Sequence, residues 1–290
     1  MLAVVERAAP GKQDKPSGIV RGQAARLPWA WNGLCFGAPM HETSQEGLRD
    51  VVNNVALSAV GTVAWGRDNR GNTCVSLTDL GYVDYPDHPR HDQPSTELTA
   101  YIRFQRSTLA GQTEGGYFVN KYDTAAPWVT WGIQGDAAVT GKAEAYIAVG
   151  GVSTLFGDSA VIPTTEYVSA FLRWRSGEVP RLDVLGERGN TLSTVSGGGT
   201  LTGALSYNAG QGIRVNVNEG GTYMAANYSQ AMVWSRRLND NELAWLVADP
   251  FGWYSPRRES VVLASPIPIV ALPSSGSRQP GQPLRRAGHL

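Results

Sequence analysis

The chain has 290 residues, of which 42% are hydrophobic and 17% are charged, and its formal net charge at pH 7 is zero. This size allows one large β domain with tails or two smaller domains, and the balanced charge argues against a nucleic-acid partner. Two cysteines without CxxC spacing, Cys35 and Cys74, exclude a disulfide scaffold and a cysteine zinc site. No segment has the length and hydrophobicity of a membrane span or a secretory signal, so we expect synthesis in a cytoplasm and no membrane partner.

The charge is distributed unevenly along the chain. Residues 1–26 carry a net charge of +3 and residues 255–290 carry +4, whereas the segment between them carries −7. The last segment also contains six prolines, which disfavour regular secondary structure and favour extended backbone. We therefore predict an extended N-terminal arm over residues 1–28 and a proline-rich, extended C-terminal arm over residues 255–290. Such arms either remain disordered or bind acidic surfaces of neighbouring subunits.

The segment from residue 29 to residue 254 has the pattern of an antiparallel β domain. Short apolar or alternating runs are separated by Gly, Asn, Asp and Pro, without amphipathic helical patterns between them. This pattern favours a two-sheet sandwich over a parallel α/β sheet. The clearest predicted strands, in chain order, cover residues 98–104, 128–133, 143–149, 167–174 and 212–217.

One helix is predicted near the end of this domain, over residues 240–248. Asn239 is a favourable N-cap, and Glu242 three residues later completes a capping box, in which each side chain accepts a hydrogen bond from the other residue's backbone amide. Asp249 precedes Pro250 and so ends the helix, because the residue before a proline avoids the α region. The apolar stripe that would pack on the core consists of Leu243, Leu246 and Val247.

The apolar strand at residues 231–234 and the capped helix resemble the closing strand and helix of laminin-G-like, concanavalin-A-type jelly-roll domains. The resemblance implies an all-β fold, an antiparallel two-sheet jelly-roll sandwich (concanavalin A-like, LamG) over residues 29–254, with one short C-terminal helix and extended arms. The Asp249-Pro250-Phe251 ending and the proline-rich tail look most like members found in tailed bacteriophages and prophages. Further similar segments lie earlier in the chain, in the same order as in the family. They cover residues 33–40 with 48–50, 71–77 with 82–84, 98–103 and 119–121.

The residues offer no complete catalytic set. A glycosidase needs two carboxylates that face each other across a cleft, but Glu144 and Glu166 are isolated acids in strand-like contexts. A Ser–His–Asp triad needs a histidine base, and the four histidines are not accompanied by a G-x-S-x-G elbow. We therefore predict that the protein is not an enzyme.

The loop over residues 84–92 contains a cluster of candidate metal ligands, namely Asp87, His88, His91 and Asp92. Imidazole and carboxylate groups can bind a divalent cation, but the prolines of this segment equally indicate a stiffened, polar surface loop. The segment 68–72 resembles half a calcium loop, yet it lacks the distal glutamate and fits a turn. We predict no cofactor, with Ca²⁺ as the alternative.

Nine tryptophans raise the question of a glycan-stacking surface. Trp128 and Trp131 lie three positions apart in one predicted strand, so their rings face opposite sides of the sheet and one of them could be exposed for stacking. Three tryptophans in apolar runs are predicted to be core residues: Trp174, Trp234 and Trp245. Three others flank the domain and could anchor the arms: Trp29, Trp31 and Trp253.

Two functions fit these features. The first is a non-enzymatic structural protein of a phage virion, a capsid decoration (cement) or head-fibre protein. It would be made in the host cytoplasm, form a homo-oligomer and bind the major capsid protein or neighbouring copies through its arms. The second is a carbohydrate-binding adhesin, a tail or receptor-binding protein that uses the rim of the jelly roll. In the first, the partner-binding residues would be Arg257, Arg258, Val261, Val262, Leu263, Ile267, Ile269 and Val270.

Overall fold

Strands dominate the described part of the chain in the computed structural model, and one α-helix follows the last of them. The chain divides into two units, residues 1–257 and 258–290, and all described residues belong to the first. Trp128 and the predicted partner-binding residues, from Arg257 to Val270, lie outside the described part. The structure describes residues 23, 25–40, 48–67, 73–77, 81–106, 116–122, 129–135, 141–157, 159–207, 210, 212–217 and 225–255.

Two antiparallel sheets form a sandwich. The strands, in chain order, are β1 (Leu34–Ala38), β2 (Arg49–Asp50), β3 (Val55–Ala56), β4 (Ser58–Val60), β5 (Val63–Arg67), β6 (Thr73–Leu77), β7 (Tyr82–Tyr85), β8 (Glu97–Arg106), β9 (Tyr117–Tyr122), β10 (Val129–Gly135), β11 (Ala143–Val149), β12 (Val152–Phe156), β13 (Val168–Arg175), β14 (Arg181–Gly186), β15 (Thr191–Ser196), β16 (Ile213–Val217) and β17 (Ala226–Trp234). The eight-stranded sheet has the order β15-β14-β13-β8-β17-β6-β5, and β1 also pairs with β17. The seven-stranded sheet has the order β12-β11-β10-β9-β16-β7-β4, and β2 and β3 form a separate ribbon. The predicted all-β, antiparallel sandwich is confirmed.

The inner faces of the two sheets enclose the main apolar core. Directly opposed residues point to the same face of a sheet, so each row across the strands is either wholly inward or wholly outward. One inward row of the seven-stranded sheet consists of Tyr85, Ile213, Lys121, Trp131 and Ile147. All of these except Lys121 belong to the apolar core. Lys121 therefore places a cation at the edge of an apolar interior.

The eight-stranded sheet also buries its outer face. Its central strands β8, β13 and β17 are buried along almost their whole length, which is the pattern of a sheet covered on both sides. The covering layer consists of the α-helix and of the segments at both ends of the domain. The large side chains on this outer face are Tyr101, Phe171, Met232 and Trp234.

The helix α1 (Asp240–Ala248) begins as the sequence predicts. The Asn239 side chain accepts a hydrogen bond from the Glu242 amide (3.0 Å), and Glu242 accepts one from the Asn239 amide (2.9 Å), so the capping box is complete. Leu243, Leu246 and Val247 are buried against the outer face of the eight-stranded sheet, as predicted. Within the described part of the chain, α1 and the shorter helical turns are too short and too polar to cross a membrane.

The described end of the N-terminal arm packs on the domain itself. The Arg26 amide donates to the Ser255 carbonyl (2.9 Å) and the Leu27 amide donates to the Gly252 carbonyl (2.9 Å). Residues Pro28–Trp31 then form a 3₁₀-helix. Ala25 is fully buried and Arg26 bonds within its own chain, so these two residues belong to the domain. The binding of the N-terminal arm to other chains stays a prediction.

A buried arginine joins α1 to the sheet. The guanidinium of Arg173, on β13, bonds to Asp183 of β14 (2.6 Å), to the Leu238 carbonyl (3.0 Å) and to Asp240 (2.7 Å). The hydrogen bond from Arg173 lowers the pKa of the Asp240 carboxyl, against a smaller opposing effect of partial burial. This stabilisation is present above the ordinary carboxyl pKa and is lost as the pH falls through the lowered pKa of the folded state.

Asp183→Asn should destabilise the domain much more than Asp240→Asn. The Asp183 side chain is 5% exposed, so its loss leaves a buried guanidinium without its main counter-charge, at a cost of about 3 kcal/mol. The Asp240 side chain is 80% exposed, and solvent screening should limit the loss to under about 1 kcal/mol. Urea unfolding at neutral pH measures both; equal losses would contradict this account of the Arg173 network.

Candidate functional site

The loop that contains the candidate metal ligands lies at one end of the sandwich, where Pro89–Asp92 form a 3₁₀-helix. His91 is fully buried, and its Nε2 lies 3.0 Å from the equally buried Asp50 carboxylate. The His88 ring accepts a hydrogen bond from the Arg90 amide (3.2 Å) and caps the 3₁₀-helix. Both histidines therefore serve the local fold of the loop.

The two aspartates of this loop converge on a lysine. Lys121 Nζ lies 2.7 Å from Asp92 and 3.4 Å from Asp87, and the lysine side chain is fully buried. The same ammonium lies 5.4 Å from the centre of the Tyr207 ring. Burial raises the pKa of the Tyr207 hydroxyl well above its ordinary value, and the Asp92 charge adds to this shift, so the phenol stays neutral. We call Asp87, Asp92, Lys121 and Tyr207 the rim cluster.

The aspartates of the rim cluster form ion pairs with Lys121 and do not form a metal site with the histidines. The four candidate ligands do not converge on one point: His91 binds Asp50, His88 binds backbone, and the two aspartates lie beside the Lys121 ammonium. No group of three or more His, Cys, Asp or Glu residues suited to a metal ion occurs in the described part of the chain. The sequence did not indicate that Lys121 binds these aspartates, because Lys121 lies 34 residues from Asp87.

Of the two tryptophans considered for glycan stacking, Trp131 is the one that faces the core, and Trp128 lies outside the described residues. The Trp131 side chain is fully buried in the core between the sheets, so neither face of the indole can reach a ligand. Its row position, opposite Lys121, requires this inward direction.

Lys121→Met should release the loop without unfolding the domain. Methionine keeps the apolar stem packed, but it removes the charge that ties Asp87 and Asp92 to the sheet. Hydrogen exchange at the His91 and Gln93 amides, which form the backbone bonds of the 3₁₀-helix, should accelerate roughly tenfold. Lys142→Met, at a half-buried lysine between β10 and β11, is the control. Unchanged exchange in Lys121→Met would contradict the fastening role of the rim cluster.

A second feature is an exposed tryptophan on α1. The Trp245 side chain is 52% exposed, so the prediction that it belongs to the core is wrong. Successive helical residues are rotated by about 100°, which places Trp245 about 200° from Leu243 and outside the buried stripe. The outward direction of Trp245 could have been predicted from the spacing of Leu243, Leu246 and Val247 in the sequence. The apolar residues next to Trp245 instead led to its prediction as a core residue.

The exposed indole lies against a second tryptophan. The rings of Trp245 and Trp29 have their centres 5.8 Å apart and are inclined at 48° to each other. Trp29 is partly buried and comes from the 3₁₀-helix at the start of the domain. We call Trp29 and Trp245 the aromatic corner. The two indoles are thus in contact, and the half-exposed Trp245 is the part of this pair that solvent reaches most.

One ion pair lies beside Trp29, and a second joins the N-terminal segment to the residue after α1. Arg236 lies 5.9 Å from the centre of the Trp29 ring and binds Glu242 at 2.8 Å. Arg26 binds Asp249, the residue that follows α1, at 2.8 Å. All four side chains are half-buried or nearly buried, so their positions are constrained by packing as well as by charge.

Both ends of the domain hold Trp29 in place. The indole N–H of Trp234 donates to the Ala30 carbonyl (2.6 Å), and the indole N–H of Trp31 donates to the Trp253 carbonyl. Arg236 additionally donates to the Asn32 carbonyl (2.7 Å). These bonds join the start of the domain to its last strand and to its end. That Trp29, Trp31 and Trp253 anchor the arms stays a prediction, because nearly all of the arms lies outside the described residues.

Comparison with known proteins identifies the fold and no family. No protein-family model and no curated protein matches this sequence. The binding domain of Paraclostridial Mosquitocidal Protein 1 is similar in structure, with a TM-score of 0.57 and 13% identity over 76% of this chain and 52% of that chain. The binding domain of Botulinum Neurotoxin DC, in complex with SialylT, has a TM-score of 0.55 and 8% identity over 74% of this chain and 51% of that chain.

A third similar structure is of botulinum neurotoxin type C, whose cell entry depends on interaction with two ganglioside molecules. Its TM-score is 0.54 at 9% identity, over 74% of this chain and 51% of that chain. The present chain thus spans about half the length of these toxin structures. At such identities the similarity establishes a shared β-sandwich fold. Two of these three structures are of binding domains.

Proposed function

We propose that this protein is a non-enzymatic saccharide-binding module and that the aromatic corner is its binding surface. The observation that carries the proposal is the half-exposed indole of Trp245, set against Trp29 on an otherwise buried helix–sheet layer. Burying that indole in the free protein would have been favourable, by about 25 cal/mol per Å² of apolar surface. A large aromatic that stays exposed in a rigid position suits the binding of a ligand.

The chemistry around the corner suits a sugar ring. The apolar C–H face of a sugar can stack on an indole, while its hydroxyls need hydrogen-bond partners at the edge of the contact. The carboxylates of Glu242 and Asp249 offer acceptors, and the exposed Asn241, four residues before Trp245, offers both a donor and an acceptor on the same side of α1. Aromatic and polar groups therefore border one surface.

The structural neighbours support a binding role over a catalytic one. The binding domain of Botulinum Neurotoxin DC is in complex with SialylT, and cell entry of botulinum neurotoxin type C depends on two ganglioside molecules; this chain shares their fold alone. A fold supports many functions, so the proposal depends on the aromatic corner and uses the neighbours as secondary support. This favours the carbohydrate-binding alternative of the two functions drawn from the sequence.

The virion role remains a prediction. It depends on the arms, and most of residues 1–28 and nearly all of residues 255–290 lie outside the described part of the chain. The predicted homo-oligomer, the virion location and the absence of a cofactor are equally untested. A saccharide-binding module would be compatible with the adhesin form of that hypothesis, a tail or receptor-binding protein.

Trp245→Ala should weaken saccharide binding strongly and leave the fold intact. Binding partners are first identified on a glycan array, and affinities are then measured by calorimetry. Loss of one stacking face should weaken binding by at least about tenfold, whereas the free energy of unfolding should change by under about 1 kcal/mol because the side chain is half exposed.

Leu155→Ala is the matched control, because the Leu155 side chain is also 52% exposed but lies on β12 of the other sheet. It should leave the affinity unchanged. Failure of the intact protein to bind any saccharide, or equal binding by Trp245→Ala, would contradict the proposed function.

A further inference from the structure

We propose that strand β12 is a dimer interface and pairs antiparallel with β12 of a second copy of this chain, so that two seven-stranded sheets become one continuous sheet. The inference does not depend on saccharide binding, because β12 ends the seven-stranded sheet whereas α1 packs on the eight-stranded sheet. It follows from a comparison of the four strands on which the two strand orders end, namely β4, β5, β12 and β15.

Three of these four edge strands have a feature that opposes pairing with another chain. Proteins protect sheet edges by short strands, by charged side chains and by bulges. Strand β4 has three residues, β5 ends in the charged Arg67, and β15 changes register at Leu192. Strand β12 is five residues long and pairs with β11 in an unbroken register. It contains no proline, and the sequence around it, from residue 145 to residue 157, contains no charged residue.

Apolar side chains are exposed along the same edge. Val152 is 63% exposed, Leu155 is 52% exposed, and Val161, shortly after β12, is 63% exposed. The chain beyond β12 continues beside β11, because the Ser159 amide donates to the Ala143 carbonyl (3.1 Å). Pairing with another uncharged strand would remove apolar surface from water without desolvating a charge.

The backbone of β12 determines which of its groups point away from β11. The Gly150–Gly151 turn has positive φ at both residues (58° and 80°), as in a two-residue hairpin, and it joins Val149 to the opposed Val152. The residues that flank such a turn form a hydrogen-bonded pair, and bonded and non-bonded pairs then alternate along the strands. The amide and carbonyl groups of Ser153 and Leu155 therefore point away from β11. Among the described residues, no backbone group bonds to them from that side.

These outward groups are self-complementary about a two-fold axis. When two copies of β12 pair antiparallel with Thr154 opposite the partner's Thr154, Ser153 lies opposite the partner's Leu155, and the reverse. Each of these two pairs exchanges two hydrogen bonds, so every outward amide and carbonyl of Ser153 and Leu155 is bonded. Directly opposed threonines are also a favourable pair. A different chain would need its own uncharged edge of matching length, whereas a second copy necessarily has one.

Ser153→Glu combined with Leu155→Glu tests this register. Both side chains are exposed in the single chain. In the dimer each introduced carboxylate would lie directly opposite a carboxylate of the other copy, which is unfavourable. Sedimentation equilibrium of the intact chain at ~10–100 µM should show a species of twice the 31.1 kDa mass of one chain. The acidic double variant should raise the dissociation constant of this dimer at least about tenfold.

Two further variants separate the register from a change in net charge. Thr191→Glu combined with Ser196→Glu adds the same charge to β15 and should leave the dimer unchanged. Ser153→Lys combined with Leu155→Lys should also dissociate, but its equimolar mixture with the acidic variant should restore dimers through opposite charges. A monomeric intact chain, a dimer that survives the acidic substitutions, or a mixture that fails to dimerise would each overturn the proposal.

Hydrogen exchange at β12 gives a measurement that does not depend on the arms. The Ser153 and Leu155 amides should be protected in the dimer, and their exchange should accelerate at least about tenfold in the acidic variant, because they face water in a monomer. Fast exchange of both amides in the intact chain, at concentrations where it is dimeric, would assign the dimer to another surface and overturn the proposal.

Discussion

The apolar outer face of the eight-stranded sheet is the constraint on which the rest of this structure depends. Tyr101, Phe171, Met232 and Trp234 project away from the main core, and exposure of so much aromatic surface in water would be unfavourable. The domain covers this face with α1 and with the segments at its two ends. The long-range contacts of residues 25–32 follow from this requirement.

The aromatic corner is a consequence of the same constraint. A helix can bury only one stripe, and the stripe of α1 is filled by Leu243, Leu246 and Val247. Trp245 must then point away from the sheet, and the N-terminal segment, held by its bonds to the end of the domain, brings Trp29 beside it. Among the described residues, the helix that closes the fold thereby also carries the exposed large aromatic side chain, Trp245.

Local features of the structure were predictable from the sequence, and contacts between distant segments were not. The capping box and the strand pattern depend on residues within a few positions of each other, so spacing alone identifies them. Trp29 and Trp245, by contrast, are in contact although almost the whole sequence of the domain separates them. Lys121, on β9, likewise binds Asp87 in a loop 34 residues earlier. The direction of Trp245 was available from helical geometry, whereas its partner required the three-dimensional structure.

The most direct test of a saccharide-binding aromatic corner is fluorine NMR of protein labelled with 5-fluorotryptophan, titrated with an oligosaccharide identified on the array. Each of the nine tryptophans gives its own resonance, which substitution assigns. The account predicts that the resonances of Trp245 and Trp29 shift with saturation while those of the buried Trp131 and Trp174 do not. Shifts confined to tryptophans outside the corner, or no shift at saturating ligand, would contradict it.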